Sequence, residues 1–329
     1  MSRSTSGREQ FFESIRATGL GDELGLEIAG LSDAGLVRPE NQDALGYRVP
    51  DAVTRRERGA LFVVCDGIAT LSAGQDASDL AVGAFTEAYY AAPLEDPEKM
   101  LRRAAARANA ELLRARRNYE AGARLGTTLV SFLIRGRQYH VLNVGDSRAY
   151  IRRDGDLRQV SRDHSPGYAR GAGDRRISRA LGIGPQVTAD VFGPNPLAPG
   201  DDLLLCSDGL TTAVPEPAIG RVIGRSTPAE ATALLVERAK TAGARDNVTV
   251  LLIRIIGPAA DVPEGTPGVR MGRGSRMRSS LRALTWANVS PIRALSSGGW
   301  RTRRGFLIGA TWLLGALALG LLVGWLLGR

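Results

Sequence analysis

The chain has 329 residues, of which 43% are apolar and 23% charged, so it can bury a large core and is not disordered throughout. With only two cysteines, the chain cannot be a disulfide scaffold, and with only two histidines it cannot contain a histidine-rich metal site. Carboxylates would therefore have to hold any metal, and carboxylates favour hard cations such as Mg²⁺ or Mn²⁺. Residues 258–304 contain nine Arg and two acidic residues, a net charge of +7, and Arg329 adds +1. Residues 1–257 therefore carry only +1 of the chain's net charge of +9, and this distribution argues against nucleic-acid binding.

Residues 1–24 form an N-terminal arm with a short apolar scatter, which fits a mobile arm and a single docked helix equally well. In residues 25–257, alternating apolar and turn segments predict one domain of short strands and a few longer helices. Strands are predicted over 26–31, 43–49, 60–65, 127–135, 138–144, 147–153, 157–160, 202–206 and 248–255, and helices over 72–92, 97–120 and 228–242. Successive short strands favour antiparallel pairing, so the predicted fold class is α+β, a sheet sandwich with helices outside.

Three aspartates stand at the ends of apolar runs that are typical of strands buried on both faces. Asp66 and Asp208 follow such runs and each precedes a glycine, and Asp246 lies just before a third run. An Asp-Gly pair alone is usually a turn, as between the amphipathic strands around Asp154. If the buried strands are neighbours, however, their carboxylates converge and raise each other's pKa unless cations neutralise them. Two cations that prefer oxygen ligands would neutralise the carboxylates and remove that repulsion.

Seven segments resemble the metal-dependent protein Ser/Thr phosphatases (PPM, or type 2C) of bacterial type, in the family's order over about 230 residues. They are SDAGLVRPENQD (32–43), VVCDG (63–67), GTTLVSFLIRG (126–136), VLNVGDSRAYIRRDGDLRQVSRDHS (141–165), ISRALG (177–182), LLLCSDGL (203–210) and RDNVTV (245–250). The resemblance implies an αββα four-layer sandwich of two antiparallel sheets flanked by helices. It also implies hydrolysis of phosphoserine and phosphothreonine by a hydroxide that two Mn²⁺ or Mg²⁺ ions activate. Phosphorylated proteins would be the substrates, and a Ser/Thr kinase would oppose the enzyme.

The same resemblance implies the metal ligands. Asp66 matches the ligand that bridges the two ions, and the carbonyl of Gly67 matches a ligand of one of them. Asp208 and Asp246 match ligands of the other ion. Asp146 matches a ligand of a third, weaker ion, although a hydrogen-bonded structural role fits it equally well.

Two further residues match the part of the family's site that handles water and phosphate. Asp43 matches the acidic residue that holds metal-bound water, and Arg38 matches the arginine that grips the substrate phosphate. Arg38 can offer two parallel N–H bonds to phosphate oxygens. The neighbouring Cys65 and Cys206 are interpreted as small buried residues, with redox sensitivity as the minor alternative.

The chain also departs from the family pattern. Ile68, Ala69 and Thr70 stand where bacterial members usually have Met-Gly-Gly, and Ile68 cannot donate a proton as the histidine of some eukaryotic members is proposed to do. His164 is the nearest motif histidine that could protonate the leaving group instead, and the alternative is that His164 has a structural role. The segment between 165 and 177 is short and contains Asp174, which could supply a ligand for the third ion. These departures keep open an alternative function, a weakly active or non-catalytic module that binds phosphoproteins at the membrane.

The C-terminal part predicts a membrane anchor. Residues 306–327 are 22 uncharged, mostly apolar residues, about 33 Å as a helix, so a transmembrane helix is predicted over 305–328. Arginines before it and the absence of an apolar N-terminal signal peptide predict a single-pass protein of the cell membrane with a cytoplasmic catalytic domain. Residues 258–304 are interpreted as a flexible basic linker, either solvated or attached to anionic lipid. Two GxxxG patterns in the span permit a homodimer, although glycine is common in membrane helices.

Overall fold

A computed structural model describes residues 10–17, 24–68, 73–119, 125–165 and 177–257. The predicted linker at 258–304 and the predicted transmembrane helix at 305–328 lie outside the described residues. Among the helices that are described, none is both long enough and apolar enough to cross a membrane.

Two antiparallel sheets form the centre of the described structure. The first sheet has the spatial order β1-β2-β12-β11-β8-β9, formed by Gln10–Ala17, Gly25–Asp33, Val248–Ile256, Asp202–Cys206, Arg148–Arg153 and Asp156–Gln159. The second has the order β10-β7-β6-β4-β3, formed by Asp190–Pro196, Gln138–Val144, Leu129–Arg135, Ala60–Ile68 and Asp43–Arg48, and the short β5 (Gly126–Thr127) pairs with the end of β4. This arrangement, with helices on the outside, confirms the predicted α+β sandwich.

The helices cover the outer faces of the sheets. They are α1 (Ala52–Arg58), α2 (Ala73–Ala91), α3 (Pro97–Ala115), α4 (Asp208–Ala213), α5 (Glu216–Ile223) and α6 (Pro228–Thr241). Local sequence fixes where the longer ones begin. Asp96 caps α3 by accepting the N–H groups of residues 98 and 99, and Thr227 and Glu230 form a reciprocal capping box at α6. Such caps each stabilise a helix by about 1 kcal/mol.

The core has three layers. Strand β4 lies between two of them, which explains why its residues are apolar at every position and not only at alternate positions. Phe62 and Val64 pack between the two sheets, whereas Leu61 and Val63 pack against α2 and α3 on the other face. A third cluster lies between the first sheet and α4–α6. Because successive side chains point to opposite faces, a strand covered on both sides must be apolar at every position.

The structure corrects the prediction for the N-terminal arm. Residues 10–17 are neither a mobile arm nor a docked helix, because they form β1, which pairs antiparallel with β2. The pairing shifts between Phe12 and Ile15, so the strand has no regular two-residue pattern from which it could be predicted. Strand β10 and the short helices α1, α4 and α5 were also missed by the sequence analysis.

Candidate active site

Four aspartates come together because each stands where a strand begins or ends at one edge of the sandwich. Asp43 opens β3 and lies opposite Asp66 in β4. Asp208 is the first residue of α4 after β11, and Asp246 lies two residues before β12. Thr249 Oγ1 in β12 donates a hydrogen bond of 2.7 Å to Asp43 Oδ2 in β3, which joins the two sheets at this edge.

These carboxylates and Asp146, from the turn between β7 and β8, form one electrostatic cluster. Burial raises the pKa of Asp66 well above its ordinary value, and the charges of Asp43, Asp208, Asp146 and Asp246 raise it further. Burial also raises the pKa of Asp43 and of Asp146 to about 7, and the charge of Asp208 contributes to both. Asp43, Asp66 and Asp146 therefore resist ionisation, and a bound cation would relieve this cost.

The donor chemistry of the cluster fits a divalent cation. Asp43 Oδ1 and Asp146 Oδ1 are buried and have no hydrogen-bond partner among the described residues. A buried polar atom without a partner costs free energy, and carboxylate oxygens are the ligands that Mg²⁺ and Mn²⁺ prefer. Among the described residues, however, no three His, Cys, Asp or Glu side chains are grouped closely enough to hold one ion as they stand. Asp246 is paired with Arg38 instead.

Arg38 lies at the exposed edge of the cluster, in the segment between β2 and β3. Its Nη2 donates to Asp246 Oδ2 at 2.7 Å, and half of its side chain is exposed. The bond to Asp246 raises the pKa of Arg38, with smaller contributions from the charges of Asp66 and Asp208. A guanidinium that contacts both the carboxylates and solvent can offer parallel N–H bonds to an entering phosphate.

Asn247 fixes the segment that carries Arg38. Its Nδ2 donates to the carbonyl oxygens of Ala34 and Glu40 at 2.9 and 3.0 Å, and its Oδ1 accepts the N–H of Gln42 at 2.9 Å. One amide thus holds both ends of the segment 34–42. No role for Asn247 could be predicted from the sequence, where its position directly before a buried strand is the only signal.

A buried chain of hydrogen bonds orients Asp43. Since Thr249 donates to Asp43, its Oγ1 accepts from Ser32 Oγ at 2.6 Å, and Ser32 in turn accepts from Asn41 Nδ2 at 2.8 Å. Asn41 Oδ1 accepts the backbone N–H of Asp43 at 3.1 Å. The chain closes on itself, so the carboxylate of Asp43 keeps one oxygen fixed, whereas the other has no partner among the residues that the structure describes.

The glycines after two of the aspartates allow close packing at this edge. A Cβ at Gly67 would collide with the carbonyl oxygens of Gln42 and Gly74, and a Cβ at Gly209 would collide with that of Asn247. The glycine that follows Asp66 and the one that follows Asp208 are therefore required by the close approach of the backbone at this edge.

Comparison with known proteins decides the family. A family model described as protein phosphatase 2C matches residues 39–245, between Arg38 and Asp246. The chain belongs to the protein phosphatase 2C family. It is similar to the serine/threonine phosphatase Stp of Listeria monocytogenes, with 31% identity over 240 residues that cover 68% of this chain and 93% of that protein.

Two further comparisons concern proteins named PstP. The serine/threonine protein phosphatase PstP of Mycobacterium tuberculosis is 32% identical over 254 residues, which cover 71% of this chain and 46% of that protein. A crystal structure of the catalytic domain of a serine/threonine protein phosphatase PstP, in complex with two manganese ions, is 30% identical with a TM-score of 0.60, and the match covers 71% of this chain and 99% of that domain. The present chain is thus a protein-serine/threonine phosphatase of bacterial type.

In this phosphatase, His164 holds the turn that carries Asp146. His164 Nδ1 accepts the N–H of Gly145 at 3.1 Å, so the proton is on Nε2, which lies 3.1 Å from Asp190 Oδ2 and donates to it. Ser165 Oγ donates to Asp146 Oδ2 at 3.4 Å. Because both ring nitrogens of His164 are used in hydrogen bonds to the protein, the residue has a structural role. Binding of a third ion by Asp146 stays a prediction.

The departures from the family pattern are only partly described. Ile68 ends β4 beside Gly67 and offers no proton. Ala69, Thr70 and the segment with Asp174 lie outside the described residues.

The two cysteines lie in the strands that lead to Asp66 and Asp208. Cys65 in β4 and Cys206 in β11 are buried and free. Burial raises the pKa of the Cys65 thiol well above its ordinary value and that of Cys206 to about 12. Because the thiolate is the reactive form, neither thiol is set up as a nucleophile. Both pack in the core, at the ends of strands that deliver carboxylates.

Proposed function

We propose that this phosphatase hydrolyses phosphoserine and phosphothreonine in proteins, with two Mn²⁺ or Mg²⁺ ions in the aspartate cluster. The observation that carries the proposal is the meeting of five aspartates with the half-exposed Arg38 at one edge of the sandwich. Two of these aspartates have a buried oxygen with no hydrogen-bond partner in the described part of the chain. The two manganese ions of the similar PstP catalytic domain support the number and class of ions.

Asp66, Asp208, Asp246 and the carbonyl of Gly67 would hold the two ions. When bound, the ions supply a hydroxide at neutral pH and offset the charge of the phosphate. A third ion at Asp146 is a further part of the proposal, supported by its buried Oδ1, which no described residue contacts with a hydrogen bond.

The chain's own residues bind the phosphate and orient the attacking water. Arg38 would exchange its bond with Asp246 for bonds to phosphate oxygens, which fixes the phosphorus in position. Asp43 would accept a hydrogen bond from water with its free Oδ1, because Thr249 occupies the other oxygen. Ile68 gives the departing alkoxide no proton, so the alkoxide must be protonated from elsewhere.

The test is Mn²⁺-dependent release of phosphate from a phosphothreonine peptide by the full-length chain. We expect Asp66→Asn and Asp208→Asn to abolish it. Asp154→Asn is the matched control, because Asp154 also precedes a glycine but lies in the exposed β8–β9 turn. If calorimetry shows that the wild type binds Mn²⁺ and phosphopeptide but turns over neither peptide nor p-nitrophenyl phosphate, the chain is a non-catalytic binding module instead.

We also propose that the protein is anchored in the cell membrane through 305–328, with the catalytic domain in the cytoplasm, where it opposes a Ser/Thr kinase. The apolar run and the arginines before it support this. The basic linker 258–304 would contact anionic lipid, and the GxxxG patterns would allow a homodimer. Deletion of 305–329 should release the protein from the membrane fraction. Protease added outside intact cells should leave the domain uncut, and its digestion there would reverse the orientation.

A further inference from the structure

Two neighbouring apolar side chains are exposed directly beside the phosphate-binding arginine. Leu36 is 60% exposed and Val37 is 64% exposed, and Arg38 follows them in the chain. The other large apolar side chains that are exposed among the described residues stand singly in the sequence: Val53, Leu94, Ile183 and Leu234. Single exposed apolar residues are ordinary, whereas an adjacent pair next to a reactive site calls for a partner.

The backbone under this pair is fixed before any substrate arrives. The N–H of Gly35 donates to Asp33 Oδ1 at 2.8 Å, and the N–H of Leu36 donates to the carbonyl of Ala244 at 3.3 Å. Gly35 has a positive φ of 72°, and its Cα faces the carbonyl of Asp246 so closely that a Cβ would collide with it. Asn247 holds the same turn. The two apolar side chains are therefore held in water by a turn that is anchored on residues 244–247, the segment that carries Asp246.

We propose that Leu36 and Val37 form a docking surface for an apolar side chain next to the phosphorylated residue of the substrate. This inference rests on the proposed function, since it requires Arg38 to hold the phosphate. An extended peptide advances about 3.5 Å per residue, so the residue that flanks a phosphate held at Arg38 passes within reach of the two residues before Arg38.

The surface selects a class of substrate. Contact with Leu36 and Val37 removes apolar area from water on both partners, and the anchored turn loses little conformational entropy on binding. A polar or charged flanking residue gains nothing from this contact and is partly desolvated by it. The substrates favoured by this chain are thus phosphoproteins with a leucine-like residue adjacent to the phosphoserine or phosphothreonine.

The test uses the full-length chain with Mn²⁺ and two phosphothreonine peptides of equal length and charge. They differ only in the residues that flank the phosphothreonine, which are leucine in one and asparagine in the other. We expect kcat/KM to be roughly tenfold higher for the leucine peptide, as the burial of part of one apolar side chain would give. Hydrolysis of p-nitrophenyl phosphate, which has no flanking residues, is measured in parallel.

A pair of double variants separates docking from a general loss of apolar surface. Leu36→Gln with Val37→Thr should bring the ratio between the two peptides to about one. Leu234→Gln with Val53→Thr makes the same chemical changes at exposed sites on α6 and α1, and should keep the wild-type ratio.

The outcomes distinguish the inference from the proposed function. Equal rates for both peptides in the wild type, or a leucine preference that survives Leu36→Gln with Val37→Thr, would overturn the docking surface while hydrolysis of p-nitrophenyl phosphate still supported the phosphatase. No hydrolysis of any substrate with Mn²⁺ would overturn both.

Discussion

Without metal, the aspartate cluster should make the protein less stable as the pH rises. Asp146 has a pKa of about 7 in the folded chain against an ordinary value of 3.8, because it is buried and lies near Asp208. Between these values the folded state holds a proton that the unfolded state has released. The stabilisation from that proton is fully present below about pH 4 and is lost as the pH rises through about 7.

The expected size follows from the shift. Two pH units below a folded pKa of about 7, at pH 5, the bound proton contributes about 3 kcal/mol to the free energy of unfolding, and at pH 8 it contributes almost nothing. For a domain of this size, about 3 kcal/mol corresponds to roughly 8 °C in Tm. Asp43 titrates in the same direction, but the two contributions are not additive because both groups feel the charge of Asp208.

The assay is thermal unfolding of the full-length chain in chelator at pH 5 and pH 8, for the wild type and Asp146→Asn. The change in the free energy of unfolding caused by Asp146→Asn should be about 3 kcal/mol more favourable at pH 8 than at pH 5, because the variant has no carboxylate to ionise at pH 8. Burial lowers the pKa of His140, so this group makes the folded state less stable as the pH falls, which is the opposite of the effect of Asp146. The contribution of His140 is the same in wild type and variant, and it cancels in the comparison. Asp154→Asn, on the exposed hairpin, should change the pH dependence little.

One result would refute this reasoning. If wild type and Asp146→Asn differ by the same amount at pH 5 and pH 8 in chelator, Asp146 is not buried among like charges. Saturating Mn²⁺ provides a second check, because a cation that binds ionised carboxylates should stabilise the wild type more at pH 8 than at pH 5.

Three further substitutions test separate parts of the site. Arg38→Lys keeps the charge but loses the parallel N–H pair, and should lower kcat/KM for a phosphothreonine peptide by about tenfold to a hundredfold. Thr249→Val removes the hydrogen bond to Asp43 and should lower the free energy of unfolding in urea by about 2 kcal/mol at pH 8. Gly209→Ala drives a Cβ into a backbone carbonyl of the loop before β12, so it should lower both stability and activity, whereas Gly184→Ala, where the nearest atom is 3.6 Å away, should change neither.

Much of the fold could be predicted because its signals are local. The run that forms β4 is apolar at every position since both of its faces are covered, and α6 begins at a capping box that four residues define. Strand β10 was missed for equally local reasons. It contains Gly193, Pro194 and Pro196, its pairing with β7 shifts after Phe192, and none of its residues is fully buried, so neither composition nor alternation marks it.

The same contrast between local and long-range signals applies to the residues of the site. Asp66, Asp208 and Asp246 could be found because each adjoins a conspicuous apolar run, and Asp43 and Asp146 could be found through the family resemblance. The residues that hold them have no such mark. Asn247 acts on a segment more than 200 positions earlier, and Thr249 reaches Asp43 across 206 positions, from the other sheet. A threonine within an apolar strand is ordinary, so its role emerges only when the register of the two sheets is known.

The core and the site cannot be separated energetically, because the same strands form both. Strand β4 buries Phe62 and Val64 between the sheets and then delivers Asp66 to their edge, where burial opposes ionisation of the carboxylate. Bringing Asp66 and Asp208 together without a cation costs free energy, and the apolar burial of the preceding residues must offset it. The cost falls on the edge where β3 and β12 meet through the bond from Thr249 to Asp43. Divalent cations should therefore stabilise the contact between the two sheets, and amide hydrogen exchange in β3 and β12 should slow when Mn²⁺ binds.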